Sequence, residues 1–287
     1  MIEVTELNYY PIKSCAGTSV EVAEFSEQGI KLDREWMITD EAGNFMSQRK
    51  NPEMALIIPT MEEGCLRVTA PGMGQLVIDL ADIDQPPVDA IVWGNQAPAI
   101  TQGSEADAWF GSYLGKADVK FVRKDPNGNR HTKQQYQHKG ATNEVAFADG
   151  ASLLLASRAS LRALNSRLEE ERPMNSFRPN IVIDGVDPYD EDYWRVAKIG
   201  DLTVFIAWGC ARCPIIDTDQ TTAIRGRDVR KALAQSRTGV DTVDPNNKGI
   251  FFGQNLAHIL EQGASVRVGD RVEIVERAEN RNIILTV

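Results

Sequence analysis

Short apolar runs separated by turn residues fill the first 120 positions of the chain. Leu66, Val68 and Ala70 alternate with more polar neighbours, and residues 75–80 form a compact apolar run. Both patterns predict β-strands, and the glycines that recur between such runs mark turns. Frequent short strands of this kind are typical of a small β-barrel or sandwich.

Two segments have helical rather than strand periodicity. Within residues 104–114, apolar side chains recur three and four positions apart. They are Ala106, Trp109, Phe110 and Tyr113. A second helix is predicted after Ser157, the expected N-cap, with Pro173 as its expected end. Its apolar stripe consists of Leu161, Leu164 and Leu168.

Strands return in the second half of the chain. Residues 181–183 form one apolar run, and residues 202–208 alternate at Leu202, Val204, Ile206 and Trp208. Near the end, two alternating runs flank a Gly269-Asp270 turn and predict a β-hairpin. Those runs contain Val266 and Val268 before the turn and Val272 and Ile274 after it. The pattern as a whole therefore predicts a mostly β chain with few helices.

Composition and charge narrow the class of protein. The hydrophobic and charged fractions are those of an ordinary globular protein, and 287 residues favour two domains over one. A formal net charge of −10 argues against a broad nucleic-acid-binding surface, but is compatible with a small basic pocket. We find neither a secretory leader nor an apolar run near the roughly 20 residues that span a bilayer. A cytoplasmic protein with four thiols and no membrane span is therefore expected.

Residues 123–139 are the longest stretch without an apolar pattern. The local charge of this stretch is positive, unlike that of the whole chain. It is interpreted either as a solvated linker between domains or as a long loop that faces an anion.

Residues 210–213, Cys-Ala-Arg-Cys, are the sharpest local motif and leave four interpretations open. A structural zinc site would need four ligands, but the other two cysteines are isolated and the three histidines are not paired at ligand spacing. A redox dithiol would open a helix, which residues 214–220 do not resemble. A single thiolate beside Arg212 would suit a high-valent metal or a sulfur-transfer step. The fourth interpretation is a pair of small buried residues.

Four other segments could hold an anion, although each has an ordinary structural alternative. They are Lys13-Ser14, Asp33-Arg34, Asp149-Gly150-Ala151-Ser152 and Phe177-Arg178-Pro179-Asn180. An arginine offers a bidentate fork to phosphate, an asparagine can donate and accept, and a turn can present backbone N–H groups. The alternatives are a surface Lys-Ser pair, an internal ion pair, a plain turn and a structural arginine clamp.

Seven segments, in this order, resemble the MOSC proteins that carry an N-terminal β-barrel domain, a family that includes the amidoxime-reducing components. The segments are Tyr10-Pro11-Ile12-Lys13-Ser14-Cys15, Asp33-Arg34-Glu35-Trp36, residues 164–169, residues 177–183, residues 210–213, Phe252-Gly253-Gln254-Asn255 and Val268-Gly269-Asp270. They cover almost the whole chain, and the interval of 35 positions between Arg178 and Cys213 also resembles the family's spacing. The resemblance implies a mostly β (α+β) fold with two domains. A small N-terminal β-barrel domain is expected over residues 1–120, and a MOSC β-barrel domain with peripheral helices over residues 121–287.

The resemblance also implies a molybdenum cofactor, a molybdenum ion held on a pyranopterin dithiolene. Cys213, the second cysteine of the motif, matches the metal ligand and is the expected catalytic residue. The positions that match contacts to the cofactor and its phosphate are Lys13, Ser14, Arg34, Arg178, Asn180 and Arg212. Further expected contacts are Gly150, Ala151 and Ser152 of the turn, with Ala211 and Asn255. At these last two positions relatives can have serine and an aromatic residue, so the substrate pocket is expected to differ.

The function implied by the resemblance is the reduction of small N-hydroxylated compounds, such as amidoximes, hydroxylamines and N-hydroxylated bases. A separate haem or iron–sulfur protein is expected to supply electrons, because the chain has no dinucleotide fingerprint and no ferredoxin-type cysteine cluster. Two alternatives stay open. One is a sulfur-carrier or cofactor-handling protein with a Cys213 persulfide, and the other is a module that stores or inserts the cofactor.

Overall fold

A computed structural model of the protein describes residues 1–286, over which the chain forms 22 β-strands, three α-helices and five short 3-10 helices. The strands are β1 Glu3–Tyr9, β2 Thr18–Val20, β3 Val22–Ser26, β4 Gly29–Ile30, β5 Trp36–Thr39, β6 Ile58–Glu62, β7 Cys65–Thr69, β8 Leu76–Asp79, β9 Pro87–Val88, β10 Ile91–Val92, β11 Asn95–Gln96, β12 Ala99–Thr101, β13 Lys120–Lys124, β14 Leu153–Ser157, β15 Ile181–Asp184, β16 Trp194–Ile199, β17 Leu202–Ala211, β18 Thr238–Asp241, β19 Lys248–Ile259, β20 Ser265–Arg267, β21 Val272–Arg277 and β22 Ile283–Leu285. The α-helices are α1 Ser104–Leu114, α2 Arg158–Asn165 and α3 Asp228–Arg237, and the 3-10 helices are Pro52–Leu56, Gln134–Tyr136, Met174–Ser176, Asp190–Tyr193 and Pro214–Asp217. The prediction of a mostly β fold is confirmed.

One large sheet forms the centre of the molecule. Its strands lie in the order β2-β1-β15-β14-β19-β17-β16-β21, and β18 pairs with both β19 and β22. β14 and β15 run parallel. β19 lies between β14 and β17 and is antiparallel to both. Leu155 and Ile183 point into a core on one face, while Ala156 and Val182 point into a second core beneath α2 and α3. This alternation is the period-two pattern of a strand buried on both faces.

The N-terminal half has its own core. The sheets β5-β13-β12-β9 and β6-β7-β8 surround it, and α1 closes it with Phe110, which packs on Phe121 with ring centroids 4.3 Å apart. The helix α1 has the bounds that its periodicity predicted. It ends at Gly115, whose φ of 62° places it in the left-handed region and allows its N–H to reach the Gly111 carbonyl.

Paired strands join the two halves of the chain. β1 belongs to the central sheet, where Leu7 lies opposite Ile181 of β15. Conversely, β20 leaves the C-terminal half to pair with β3, with Val266 opposite Ala23. The strand β13 spans position 120 and pairs with both β5 and β12. The division of the chain into domains at 120/121 stays a prediction.

The second predicted helix begins as expected but ends early. The Ser157 side chain accepts a hydrogen bond from the Ser160 N–H and caps α2. The helix then stops at Asn165 instead of continuing to Pro173. The Asn165 side chain binds the backbone of Arg172 at both its N–H and its carbonyl, which folds the chain back. Three consecutive glutamates, at 169–171, also oppose continuation, since negative charge is unfavourable at a helix C-terminus.

The predicted hairpin around Gly269 is wrong. Both strands exist, but β20 pairs with β3, and β21 pairs with β16. The turn is present, with Gly269 at φ 91°, and it connects two different sheets. The alternation in the sequence sets which side chains are buried, but it does not choose the partner strand.

Residues 123–139 form a long loop attached to the protein, not a solvated linker. Its first residues complete β13. Arg130 then donates hydrogen bonds of 2.8 and 2.7 Å to the carbonyls of Ala146 and Ala148. Tyr136 stacks on Trp208 with ring centroids 3.9 Å apart. The loop therefore lies against the sheet edge that carries the functional site.

A buried ionic cluster supports β19 from below. Arg237 binds both carboxylate oxygens of Asp192, at 2.7 and 3.0 Å, and Gln254 of β19 donates to the same carboxylate at 2.8 Å. The neighbouring Glu191 is fully buried and accepts one hydrogen bond, from Ser160. Burial, together with the charge of Asp192, raises the pKa of Glu191 to about 7.

We expect Glu191→Gln to change how stability depends on pH. A carboxyl whose pKa is higher in the folded than in the unfolded state stabilises the fold below its unfolded value and loses that contribution as pH rises through its folded value. From 4.5 to about 7 the wild type should therefore lose roughly 3 kcal/mol of unfolding free energy at this site. The variant should not lose it. Urea unfolding at pH 5 and pH 8 measures the difference, with the exposed Glu276→Gln as control, and parallel profiles for wild type and variant would contradict this role.

Candidate functional site

A cavity of about 160 Å³ lies where the N-terminal half meets one edge of the central sheet. It brings together all but one of the residues singled out from the sequence. Those that line it are Lys13, Ser14, Arg34, Gly150, Ala151, Arg178, Asn180, Ala211, Arg212, Cys213 and Asn255. They lie after β1, before β5, before β14, before β15, at the end of β17 and on β19. The fold thus brings together in one cavity residues up to 242 positions apart (13 to 255).

Ser152 is the exception. It is buried, and its hydroxyl lies 3.3 Å from Nδ1 of His258 and 3.4 Å from the Leu256 carbonyl. The next residue begins β14, so strand alternation turns Ser152 into the protein and away from the cavity.

Two guanidinium groups, each stacked on the same tyrosine ring, form the basic wall of the cavity. Arg34 and Arg178 lie over the Tyr10 ring, with their Cζ atoms 4.3 and 4.2 Å from its centroid. Arg34 is paired with Asp33. Arg178 donates to the Cys15 carbonyl at 2.6 Å and, within residues 1–286, forms no salt bridge.

The two arginines together carry one more charge than Asp33 neutralises, and this excess positive charge favours an anion. Burial and the nearby Arg34 charge lower the pKa of Arg178 to about 10, and burial raises the pKa of the Tyr10 hydroxyl to about 12. Arg178 is thus a cation held in place by neutral groups, and an anionic ligand would relieve the cost of its burial.

The backbone is strained at the same place. Ser14, Arg34 and Arg178 have φ values of 66°, 51° and 56°, in the left-handed region that residues other than glycine seldom adopt. Such strain persists only where the surrounding structure holds it, and it is concentrated at ligand-binding sites.

The two cysteines of the motif differ in their surroundings. Arg212 donates to Sγ of Cys210 at 2.9 Å and to the Phe177 carbonyl at 2.5 Å. Its Nε is buried without a hydrogen-bond partner within residues 1–286. Cys213 follows the end of β17 and precedes Pro214–Asp217, and over the same residues its sulfur takes part in no hydrogen bond. Within residues 1–286, the sulfur of Cys213 and the Nε–H of the preceding residue, Arg212, are thus both without a hydrogen-bond partner.

The floor of the cavity combines an ion pair, in which the lysine is buried and the aspartate is exposed, with a turn. The Lys13 ammonium donates to the Phe147 carbonyl at 2.8 Å and to the carboxylate of Asp149. Burial lowers the pKa of Lys13. Over residues 1–286, the backbone N–H groups of Gly150 and Ala151 donate no hydrogen bond. Both residues line the cavity, so their N–H groups are available to a ligand there; that they bind an anion stays a prediction.

Two of the four interpretations of the cysteine motif have no geometric support. Within residues 1–286, no three or more His, Cys, Asp or Glu side chains are grouped so that they could hold a metal ion, as a structural zinc site requires. The segment after Cys213 is a four-residue 3-10 helix, too short to provide the helix N-terminus of a redox dithiol.

The sequence matches two family descriptions, MOSC N-terminal beta barrel domain over residues 1–117 and MOSC domain over residues 142–273. It is 32% identical over 278 residues to mitochondrial amidoxime reducing component 2 of Bos taurus, covering 94% of this chain and 82% of that protein. It is also 32% identical to mitochondrial amidoxime-reducing component 1 of Mus musculus, with 95% and 82% covered. For component 1 of Homo sapiens the identity is 30%, again with 95% and 82% covered. The chain belongs to the MOSC family.

A second cavity of this MOSC protein, of about 700 Å³, adjoins the first. Five residues line both: Asp149, Gly150, Cys210, Ala211 and Asn255. Its other walls include three aromatic residues that sequence reasoning did not assign to the site, Trp93, Tyr136 and Trp208. Only Trp93 had a usable signal, because a tryptophan followed by glycine in a two-residue turn is unusual.

In this MOSC protein no helix within residues 1–286 combines the length and the apolar character that crossing a membrane requires.

Proposed function

We propose that this MOSC protein is a molybdenum-cofactor-dependent oxidoreductase that reduces small N-hydroxylated compounds. The observation that carries the proposal is that one cavity contains both Cys213, whose sulfur takes part in no hydrogen bond within residues 1–286, and the partly buried Arg178, which forms no salt bridge within those residues. A soft anionic sulfur suits a high-valent metal, and a cationic wall suits the phosphate of a pterin. The relatives named amidoxime-reducing components support the same class of reaction.

The residues present fit this cofactor. Arg178, Lys13 and Ser14, with the free N–H groups of Gly150 and Ala151, would hold the phosphate and pterin. Cys213 would be the protein's ligand to molybdenum. The cofactor, when bound, supplies two-electron oxygen-atom chemistry, which no amino-acid side chain provides.

Asn180 acts through Arg34. Its Oδ1 accepts from Arg34 at 3.0 Å and from the Leu154 N–H at 3.1 Å, while its Nδ2 donates to the Asn8 carbonyl at 3.1 Å. With 1% of its surface exposed, Asn180 positions the guanidinium. Arg34 in turn donates to the Arg178 carbonyl at 3.3 Å, which helps to hold the strained backbone at Arg178.

Reduction of an N–OH group to N–H consumes two electrons and two protons and releases water. We infer that a separate haem or iron–sulfur protein delivers the electrons. The four cysteines are dispersed, since Cys15 is buried among apolar side chains and Cys65 lies on β7. The net charge of −10 favours a donor with a basic docking surface.

The purified, molybdenum-loaded protein is expected to reduce benzamidoxime or hydroxylamine with an artificial low-potential donor, but not with NADH or NADPH alone. Steady-state assays with each donor, together with molybdenum and pterin content, test this. Turnover with NADH alone would refute the separate donor. Stoichiometric molybdenum without turnover by any donor would favour a storage module, and protein that carries a persulfide without molybdenum would favour a sulfur carrier.

A further inference from the structure

Trp93 lies at the tip of a two-residue hairpin turn beside the proposed active site. The strands β10 and β11 pair Val92 with Asn95, so Trp93 and Gly94 form the turn, with φ values of 54° and 77°. Two consecutive positive φ values define a type I′ turn, in which asparagine followed by glycine is strongly preferred. A bulky side chain at positive φ is a conformational outlier.

The exposure of Trp93 is also unusual. About half of the residue, 49%, is exposed, although large aromatic side chains are normally well buried. The Arg49 guanidinium lies over the indole with its Cζ 4.1 Å from the ring centroid, and the Phe45 ring lies 5.3 Å away at a tilt of 56°. Arg49 and Phe45 thus hold the indole in place, while the exposed part of Trp93 lines the cavity of about 700 Å³.

The indole borders the cavity that leads to the cysteine motif. The lining of the cavity of about 700 Å³ includes Trp93, Trp208 and Cys210. Trp93 also lies close to Asp149, whose side chain is 65% exposed to the cleft. Surrounding protein acts to raise the pKa of Asp149, but Lys13 and, to a smaller extent, the Trp93 N–H lower it well below its usual range.

We propose that the exposed indole of Trp93 is a stacking platform that selects planar aromatic N-hydroxylated substrates over small aliphatic ones. The proposal rests on the function proposed above and adds a specificity-determining residue to it. A ring stacked on the indole would lie in the larger cavity, with the side-chain amides of Asn95 and Asn247 among the groups that line it. A tryptophan in a turn that favours asparagine is the expected result when binding, rather than folding, determines the residue.

The test compares two variants of the molybdenum-loaded protein. Trp93→Asn removes the ring but suits the type I′ turn, so its melting temperature should not fall by more than about 2 °C. Trp93→Phe keeps a ring. With an artificial electron donor, Trp93→Asn should raise KM for benzamidoxime about tenfold, the effect expected for one lost stacking contact. KM for hydroxylamine, which has no ring, should not change, and Trp93→Phe should stay close to wild type for both substrates.

Calorimetric binding of benzamidoxime gives a readout that does not depend on turnover. Weaker binding by Trp93→Asn but not by Trp93→Phe supports the platform, even if the wild type proves unable to reduce the compound and the proposed function fails. An equal rise of KM for hydroxylamine and benzamidoxime would mean general damage to the site and would overturn the proposal. Unchanged benzamidoxime affinity in Trp93→Asn would overturn it as well.

Discussion

Cys213→Ser is expected to abolish reduction of N-hydroxylated substrates, lowering kcat/KM by at least about 1,000-fold, as loss of a residue required for the chemistry does. Serine is nearly isosteric with cysteine, so the fold should persist. The hydroxyl is, however, a hard and weakly acidic oxygen, whereas the thiolate is a soft donor suited to the metal. Cys213 has the unengaged sulfur of the motif, which makes it the better ligand.

Cys210→Ser is the matched control. The Cys210 sulfur is already engaged by Arg212, at 2.9 Å, and a serine hydroxyl can accept the same hydrogen bond. We therefore expect the loss of activity to be no more than about tenfold, the lower end of the effects seen when groups around a metal site are changed. Molybdenum per protein, measured by mass spectrometry, should fall only in Cys213→Ser. Equal loss of metal in both variants would contradict the assignment of Cys213.

Arg178→Ala should weaken retention of the cofactor by about 100-fold, as is typical when one partner of a buried charge-assisted contact is removed. In the wild type the partly buried guanidinium stacks on Tyr10 and finds no carboxylate partner among residues 1–286, so its charge remains available to a phosphate. Pterin content after dialysis is the direct measurement. Cofactor retention by Arg178→Lys should lie between that of the wild type and that of Arg178→Ala, since lysine keeps the charge but loses the planar fork.

The melting temperature of the cofactor-free protein distinguishes a cofactor-binding role of Arg178 from a structural role. Removing this partly buried cation should leave the melting temperature of the apoprotein unchanged or higher, because the charge is costly when no anion is bound. Arg162→Ala serves as control, since Arg162 lies on the surface of α2 and pairs with Asp184 at 2.8 Å. Full pterin retention in Arg178→Ala, or a large drop in the stability of its apoprotein, would refute the phosphate role.

Much of the local structure could be predicted because it follows from short-range periodicity and caps. The bounds of α1, the Ser157 cap and the strands β7, β15 and β17 depend on neighbouring residues alone. The choice of partner strand does not, which is why the predicted hairpin around Gly269 failed: β20 pairs with β3 and β21 pairs with β16, and both partners are distant in the sequence. The early end of α2 depends on Asn165, whose amide binding to Arg172 has no periodic signal.

The residues of the site also include some that the sequence could predict and some that it could not. Motif residues such as Arg178 and Cys213 were found because their types and order resemble a family, and all but Ser152 line one cavity. The aromatic residues of the neighbouring cavity come from separate loops. Tyr136 meets Trp208 only after the polar loop folds back onto the sheet, and no spacing in the sequence encodes that contact.

The pairing of β1 with β15 and of β20 with β3 has a consequence for how the molecule is assembled. Each half of the chain lends a strand to the other, so neither half can saturate its backbone hydrogen bonds alone. A cut in the connecting segment would yield two interlocked fragments, whose reconstitution would require mutual strand exchange rather than simple docking. Because the two strand pairings link the halves of the chain, we expect little relative motion of the halves around the site. A ligand would then enter a preformed cavity, and the two halves would not close around it.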